Sequence, residues 1–160
     1  LYCYKQYGVV PDIMTSAKGL GCGVAIGAVL ANEKVASAIS IGDHGSTFGG
    51  NTLACAVALS AMRYMLAHDF SAMAKEKGAY LINALKSIDS DKIVEVRGMG
   101  MLIGVQLADS CAASGLVRKL LERGFVAGTA SGNVLRIAPP LIIEKAQMDA
   151  FTAALTDVLK

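Results

Sequence analysis

A single lysine, Lys18, lies in an apolar and glycine-rich segment at residues 11–27. Glycines allow a backbone to come close to a bound group. An ammonium group that loses its hydration gives up its proton more readily, and the free amine is a nucleophile toward carbonyl compounds. The segment therefore makes Lys18 a candidate for covalent chemistry on a carbonyl, and a solvated loop lysine is the alternative interpretation.

Residues 44–51 form a second candidate segment, which contains three glycines and the adjacent hydroxyls of Ser46 and Thr47. It ends at Asn51, a suitable N-cap for the helical run that follows. The N–H groups of a glycine-rich loop and the N-terminus of a helix both attract anions. The segment favours a phosphate site, and a capped loop that packs its glycines against a sheet is an equally good interpretation.

Arg136 is the third candidate, because strand alternation places it on the face opposite Leu135 and Ile137. A guanidinium group at such a position needs a planar acceptor, either a substrate carboxylate or a carboxylate of the protein. An arginine at a strand edge in water is the alternative. Arg97 is a weaker candidate, which would only brace a hairpin.

The sequence argues against several other chemistries. His44 has no acidic motif around it, so it is interpreted as a structural donor and not as a general base. Ser46 and Thr47 belong to no nucleophile elbow or triad, which argues against a hydrolase. The four cysteines have no metal-binding spacing, and we predict no metal site and reduced thiols.

Composition places the chain among folded proteins with small-molecule partners. Its 160 residues are 54% hydrophobic, enough to build a core. The net charge of +2 comes without any basic run, so we expect neither nucleic acid nor a membrane surface as a partner. No leader or membrane-spanning segment is recognised, and we therefore expect a cytoplasmic protein.

Apolar runs and turn residues predict a mixed α/β chain of two domains, residues 1–70 and 71–160, because the pattern changes near residues 68–72. In the first domain we expect covered strands at 12–15 and 24–31, a helical turn at 32–37 and a helix at 53–65. In the second we expect helices at 73–85, 112–123 and 143–159, and strands at 93–97, 101–107, 125–127 and 134–137. Gly124 is the predicted stop of the middle helix.

Seven short segments resemble the class III, or ornithine-type, pyridoxal-phosphate aminotransferases. One contains Lys18, another contains Ser46 and Thr47, and the last contains Arg136. The segments are residues 7–13, 17–21, 26–28, 44–51, 53–56, 96–100 and 135–140. Matches in this order over nearly the whole chain are specific to the family, and they correspond to the C-terminal part of such an enzyme.

The resemblance implies the C-terminal portion of a fold-type-I transferase. Residues 1–70 would end the large α/β/α cofactor-binding domain and include the long interdomain helix, and residues 71–160 would form the small α+β domain. It also implies pyridoxal 5'-phosphate as cofactor, with Lys18 as the catalytic and cofactor-binding residue. Thr47 would donate to the cofactor phosphate, and Ser46 and Arg136 would bind substrate.

The same resemblance implies transfer of an amino group from N2-acetylornithine to 2-oxoglutarate in arginine biosynthesis, within a homodimer whose sites lie at the interface. Ornithine, succinylornithine or 4-aminobutyrate are alternative donors. A phosphate-binding module without covalent chemistry, or a fragment that only dimerises, are alternatives of a different class. Because the chain opens in mid-domain, without the family's aspartate for the pyridinium nitrogen, we expect these 160 residues alone to be inactive.

Overall fold

The computed structural model describes residues 1–160 and contains both helices and strands, as expected of an α/β chain. The chain divides into two compact units, Leu1–Phe70 and Ser71–Lys160. The assignment of these units to a large cofactor-binding domain and a small C-terminal domain stays a prediction. No helix is both long enough and apolar enough to cross a bilayer.

The first unit contains one antiparallel hairpin, two 3-10 helices and two α-helices. Strand β1 (Ile13–Ala17) pairs with β2 (Gly27–Ala31), from Ile13 opposite Ala31 to Ala17 opposite Gly27. The helical segments are a 3-10 helix at Cys3–Tyr7, the short helix α1 (Glu33–Ala36) and the long helix α2 (Thr52–Ala67). A second 3-10 helix, Lys18–Gly21, lies in the connection between the two strands.

The expectation that these strands are covered is wrong for the chain described here. The hairpin has only two strands, and Ile13, Val29 and Leu30 are 55%, 71% and 47% exposed. No further strand or helix of the unit buries these side chains, so their apolar character has no counterpart in local packing. Exposed apolar surface on this scale is typical of a surface that contacts another polypeptide segment.

Helix α2 begins where the sequence places its cap. The side chain of Asn51 accepts a hydrogen bond from the Ala54 N–H at 3.1 Å, which satisfies one of the free donors of the first turn. The same device starts α1, where Asn32 Oδ1 accepts from the Val35 N–H at 3.0 Å. The Asn51 cap was predicted from the asparagine that precedes a helical run, whereas residues 32–37 were predicted only as a helical turn.

The second unit is a four-stranded antiparallel sheet with helices against one face. The sheet has the strand order β3-β4-β6-β5, with β5 and β3 at its edges. The strands are β3 (Ile93–Met99), β4 (Leu102–Leu107), β5 (Gly128–Ala130) and β6 (Val134–Ile137). The helices are α3 (Phe70–Lys86), which begins at the last residue of the first unit, α4 (Ala113–Glu122) and α5 (Lys145–Leu159).

The hydrophobic core lies in this second unit, between the helices and one face of the sheet. Ile103 and Val105 of β4 and Leu135 of β6 are at most 1% exposed. They pack with Leu81, Leu85, Leu116, Leu120, Phe151 and Leu155 of the three helices. Because successive side chains of a strand alternate, the intervening residues Arg97, Gly104 and Arg136 face away from this core.

One predicted strand of the second unit is wrong. Residues 125–127 have no strand structure, and the strand of that region is β5, which lies in the segment predicted to be a loop. The helix stop just before it is correct. Gly124 has a φ of 83°, and the Phe125 N–H donates to the Leu120 carbonyl at 2.9 Å, as at a glycine-terminated helix. This C-terminal turn keeps residues 125–127 close to α4, so pairing with β6 begins only at Gly128.

Candidate functional site

Lys18 lies immediately after β1, at the first position of the 3-10 helix Lys18–Gly21. Its φ is 53°, in the left-handed region that residues with a side chain rarely occupy. Such a conformation costs roughly 1–3 kcal/mol, and such residues cluster at active sites and ligand clamps. Cys22 and Asp69 have a similar φ, so the backbone conformation supports Lys18 as a candidate only together with the chemistry of its amine.

The turn after Lys18 is tight, and a glycine without a side chain occupies its buried position. Gly21 is buried, and a Cβ added there would lie 2.7 Å from the Cγ2 of Ile26. The Cys22 N–H closes the turn on the Gly19 carbonyl at 3.3 Å. Residues with side chains at position 21 would push Ile26 away, so this glycine is required for close packing of the connection.

The side chain of Lys18 is exposed and makes neither a hydrogen bond nor an ion pair. The expectation that its amine is removed from water is therefore wrong within this chain, since no residue here covers it. A depression of about 400 Å³ lies beside it. Its lining consists of small and apolar residues around the lysine: Ala17, Lys18, Gly23, Val24, Ala25 and Ile26.

The second candidate segment is an exposed turn that precedes α2. The Gly49 N–H donates to the Ser46 carbonyl at 3.1 Å, and the Asn51 N–H donates to the Phe48 carbonyl at 3.2 Å. The hydroxyls of Ser46 and Thr47 have no hydrogen-bond partner in the protein. Two hydroxyl groups without partners thus lie in the turn that leads into a capped helix N-terminus. Hydroxyl and N–H donors in such a position can bind a phosphate group.

Arg136 lies on β6, an inner strand of the sheet, with Gly104 of β4 opposite it on one side and Gly128 of β5 on the other. Its side chain is exposed, because neither sheet neighbour has a side chain that could cover it. It makes no hydrogen bond or ion pair. A guanidinium group with a free planar set of donors is suited to a carboxylate.

Arg97 lies in the same cross-strand row, opposite Gly104 from the other side, but its donors are used. Its Nη1 lies 2.6 Å from Glu95 Oε2, and its Nη2 donates to Gln106 Oε1 at 3.5 Å. The structure therefore distinguishes two arginines of one sheet face. Arg97 is paired with a protein carboxylate, and Arg136 is free for a ligand.

The candidate residues belong to two different units. Lys18, Ser46 and Thr47 lie in Leu1–Phe70, and Arg136 lies in Ser71–Lys160. Ser46 and Thr47 are adjacent in one turn, and no hydrogen bond joins either of them to Lys18. The side chain of Asp43, next to this turn, accepts a hydrogen bond from the Ser40 N–H at 2.6 Å. No group of three or more His, Cys, Asp or Glu side chains is arranged to hold a metal ion.

These residues fit a phosphorylated aldehyde cofactor. Lys18 presents a free primary amine beside a depression, which is what an aldehyde requires for covalent attachment. The turn at residues 44–50 presents free hydroxyls and glycines at which an added Cβ would meet nothing or only Ser46, so a bulky anion can approach its backbone. The donor set is therefore that expected of a pyridoxal-phosphate site.

Comparisons with known proteins decide the family. Residues 1–159 match the family Aminotransferase class-III. The chain belongs to the class III aminotransferases. It is 46% identical over 162 residues to an acetylornithine aminotransferase of Methanocaldococcus jannaschii, and the match covers 99% of this chain and 40% of that protein. The chain thus spans about two fifths of the length of the curated relatives that it matches.

Solved aminotransferase structures confirm the fold of this class III chain. An acetylornithine aminotransferase from Elizabethkingia anophelis superimposes with a TM-score of 0.89 at 34% identity, over 98% of this chain and 42% of that one. An ornithine aminotransferase from Toxoplasma gondii, crystallized with oxidized glutathione and with PLP at partial occupancy in its active site, gives 0.86 at 33% identity. That match covers 93% of this chain and 36% of the other.

Sequence reasoning did not find the residues that surround Arg136. Gly104 and Gly128 become its neighbours only through the strand register. Asn133 was also overlooked, although its side chain donates to the Cys111 carbonyl at 2.7 Å and accepts from the Ala113 N–H at the same distance. It thereby fixes the start of β6 to the segment that begins α4. An asparagine in a glycine-rich loop is the only sequence signal for this role.

Proposed function

We propose that this chain acts in a pyridoxal-phosphate-dependent aminotransferase that moves an amino group from N2-acetylornithine to 2-oxoglutarate. The observation that carries the proposal is Lys18, an unpartnered amine in a left-handed backbone conformation beside a depression. Membership of the class III family adds the reaction class. The acetylornithine aminotransferases among the relatives support the choice of donor.

Each candidate residue has a separate role in this proposal. Lys18 holds the cofactor through its Nζ, and the same amine then moves the proton of the substrate carbon. Thr47 and the backbone of its turn hold the cofactor phosphate. Ser46 contacts the acylated donor, and the free guanidinium of Arg136 binds a substrate carboxylate. When bound, pyridoxal phosphate supplies the electron sink for the reaction.

Assembly and setting are part of the proposal. We infer a homodimer in which Thr47 of one subunit serves the site of its partner, and a cytoplasmic role in arginine biosynthesis without nucleic acid or membrane partners. Exposed apolar side chains beside the proposed phosphate turn support an interface there: Ile41, Phe48 and Leu53 are 108%, 81% and 68% exposed. Surface of this kind is typical of protein contacts.

A second candidate differs only in the donor. Ornithine aminotransferases are also among the relatives and solved structures. The two donors differ only in whether the α-amine is acylated, and no contact of Ser46 or Arg136 within this chain selects between them. Competition between N2-acetylornithine, ornithine, succinylornithine and 4-aminobutyrate in one assay separates these reactions. The proposal requires the highest kcat/KM for the acetylated donor.

Substitution of Lys18 tests the reaction itself. Lys18→Ala in the full-length enzyme should abolish transamination, while the cofactor still binds through its phosphate. Lys75→Ala is the matched control, since Lys75 is an exposed lysine of α3 without a hydrogen bond or ion pair, and it should retain normal turnover. Turnover by Lys18→Ala without any added amine would refute the assignment.

A further inference from the structure

The guanidinium group of Arg136 lies across the place where a side chain of Gly128 would be. A Cβ added to Gly128 would come within 3.2 Å of Arg136 Nη2, 3.4 Å of Nε and 3.7 Å of Cζ. All three atoms belong to the planar end of the arginine. The contact therefore concerns the group that binds a carboxylate, and not the aliphatic stem.

The arginine leans toward this glycine and away from the other one. Gly104 and Gly128 are the two cross-strand neighbours of Arg136. A Cβ added to Gly104 would meet Val134 at 3.2 Å and the stem of Arg97 at 4.0 Å, with no atom of Arg136 within 4 Å. Gly128, on the edge strand β5, is thus the neighbour that determines where the guanidinium can lie.

The backbone does not require glycine at position 128. Gly124 and Gly132 in the same region have φ of 83° and 71°, which explains why they are glycines, whereas Gly128 is an extended residue of β5 outside the left-handed region. Glycine inside a strand is otherwise unfavourable, and it often marks a place where a ligand or another group approaches closely. What distinguishes Gly128 is the space that it leaves free.

We propose that Gly128 is a positioning residue for Arg136. Because position 128 has no side chain, the guanidinium can lie beside β5 with its planar donors unobstructed. In this orientation it can donate two hydrogen bonds to a carboxylate. This inference rests on the proposed function, in which Arg136 binds the substrate carboxylate. A side chain at position 128 displaces the guanidinium, because an exposed arginine end moves more easily than the backbone of the sheet.

The decisive series is Gly128→Ala and Gly128→Val in the cofactor-loaded full-length enzyme, with Gly115→Ala as the matched control. Gly115 lies in α4, and an added Cβ meets no atom within 4 Å there. Two measurements are needed in every variant: KM and kcat with 2-oxoglutarate, and the Kd of glutarate by isothermal titration calorimetry. In the variants that keep Arg136, its 15Nε resonance reports in addition on the contact of the guanidinium group with glutarate. Thermal unfolding of each variant reports on the sheet.

We expect Gly128→Ala to raise the 2-oxoglutarate KM and the glutarate Kd by roughly threefold to tenfold, part of the value of a charge-assisted hydrogen bond. Gly128→Val should raise both further. The kcat should change by less than about twofold, and Tm should stay constant or rise, because side chains favour a strand more than glycine does. In an Arg136→Gln background Gly128→Val should have no additional effect on either constant.

The possible failures are distinguishable. If Arg136→Gln weakens glutarate binding and Gly128→Val does not, the positioning role is wrong and the proposed function stands. If Gly128→Val acts equally in the Arg136→Gln background, its effect is a general disturbance of the sheet and the inference is wrong. If Arg136→Gln leaves glutarate binding unchanged, the carboxylate role assigned to Arg136 fails, and the positioning role fails with it.

Discussion

At the scale of single residues, the candidate site consists of four polar side chains that can bind a ligand. Lys18, Ser46, Thr47 and Arg136 are all exposed and without partners in the protein. Their exposed positions agree with their prediction as candidates, which rested on the glycine-rich segments and on strand alternation, and their roles stay predictions. The left-handed φ of Lys18 was not predictable, because αL conformations of residues other than glycine depend on how the surrounding turn closes.

The hydroxyl of Thr47 provides a prediction at this scale. Thr47→Ala should weaken binding of pyridoxal phosphate to the full-length apoenzyme by about 1.5–3 kcal/mol, the value of a hydrogen bond to a charged group. Ser46→Ala should instead raise the KM for the amino donor and leave cofactor binding nearly unchanged. Cofactor titration followed by absorbance, together with steady-state kinetics, measures both effects.

The two variants serve as controls for each other, since both remove a hydroxyl from the same exposed turn. Equal losses of cofactor affinity would contradict separate roles. If Thr47 serves the partner's site, mixed dimers of Lys18→Ala and Thr47→Ala chains should regain part of the activity, because one of their two sites carries neither substitution. Inactive mixed dimers would contradict the crossed arrangement.

At the scale of elements, close approach of backbones limits what the second unit tolerates. Helix α3 approaches the turn between β3 and β4 so closely that a Cβ added to Gly78 would lie 2.2 Å from the Gly100 carbonyl oxygen. Because the clash is with backbone, no side-chain rotation relieves it. The pairing of a helix glycine with a hairpin glycine was not predictable, since it arises from tertiary packing and leaves no local pattern.

Gly78→Ala should therefore destabilise the fold, even though alanine favours helices. Overpacking of a tight contact typically costs about 1–3 kcal/mol, which exceeds the gain of up to about 1 kcal/mol from helix propensity. Gly115→Ala in α4 has space for its Cβ and should be neutral or stabilising. Urea unfolding of the two variants gives the comparison, and equal stabilities would contradict the close contact.

A polar cluster between α3 and α5 provides a pH-dependent prediction. Asp149 accepts hydrogen bonds from the Tyr80 hydroxyl and from Lys145 Nζ, the latter at 3.0 Å. The Tyr80 hydrogen bond first, and then that of Lys145, hold the pKa of the Asp149 carboxyl below its ordinary value. The stabilisation is therefore complete above the unfolded pKa of about 3.9 and is lost as pH falls through the lower folded pKa.

Asp149→Asn should remove this part of the acid dependence. We expect the Tm of the variant to fall less steeply than that of the natural protein below about pH 4, and to differ from it most at neutral pH. Tyr80→Phe should have an intermediate effect because it removes only the first of the two hydrogen bonds. Parallel acid profiles for all three proteins would show that the cluster contributes nothing to stability.

At the scale of the whole molecule, the two units differ in how completely they bury their apolar side chains. All members of the hydrophobic core cluster lie between Leu81 and Leu159. In the first unit the buried hydrophobic residues are Ala54, Ala58 and Phe70, and its hairpin is largely exposed. Sequence patterns identified both strands of that hairpin but not their exposure. An apolar run indicates a strand that can be covered, and it does not show whether another segment of the same chain covers it.

We expect the 160-residue chain alone to have no useful transamination activity, and its second unit to be the more protected one. The chain spans about two fifths of the length of its curated relatives. The first unit, which contains Lys18, Ser46 and Thr47, buries little apolar surface. Hydrogen exchange should protect residues 72–160 more strongly than residues 1–50, since protection follows buried packing. Robust turnover, or stronger protection before residue 50, would contradict this assessment.

Covalent mapping of the cofactor shows whether Lys18 is the residue to which it is attached. The full-length enzyme is loaded with pyridoxal phosphate, reduced with borohydride, digested and analysed by mass spectrometry. We expect a reduced cofactor on the peptide that contains Lys18 and on no other lysine, and its loss in Lys18→Ala but not in Lys75→Ala. A cofactor fixed to a different lysine, or retained unchanged in Lys18→Ala, would show that Lys18 is not the attachment site.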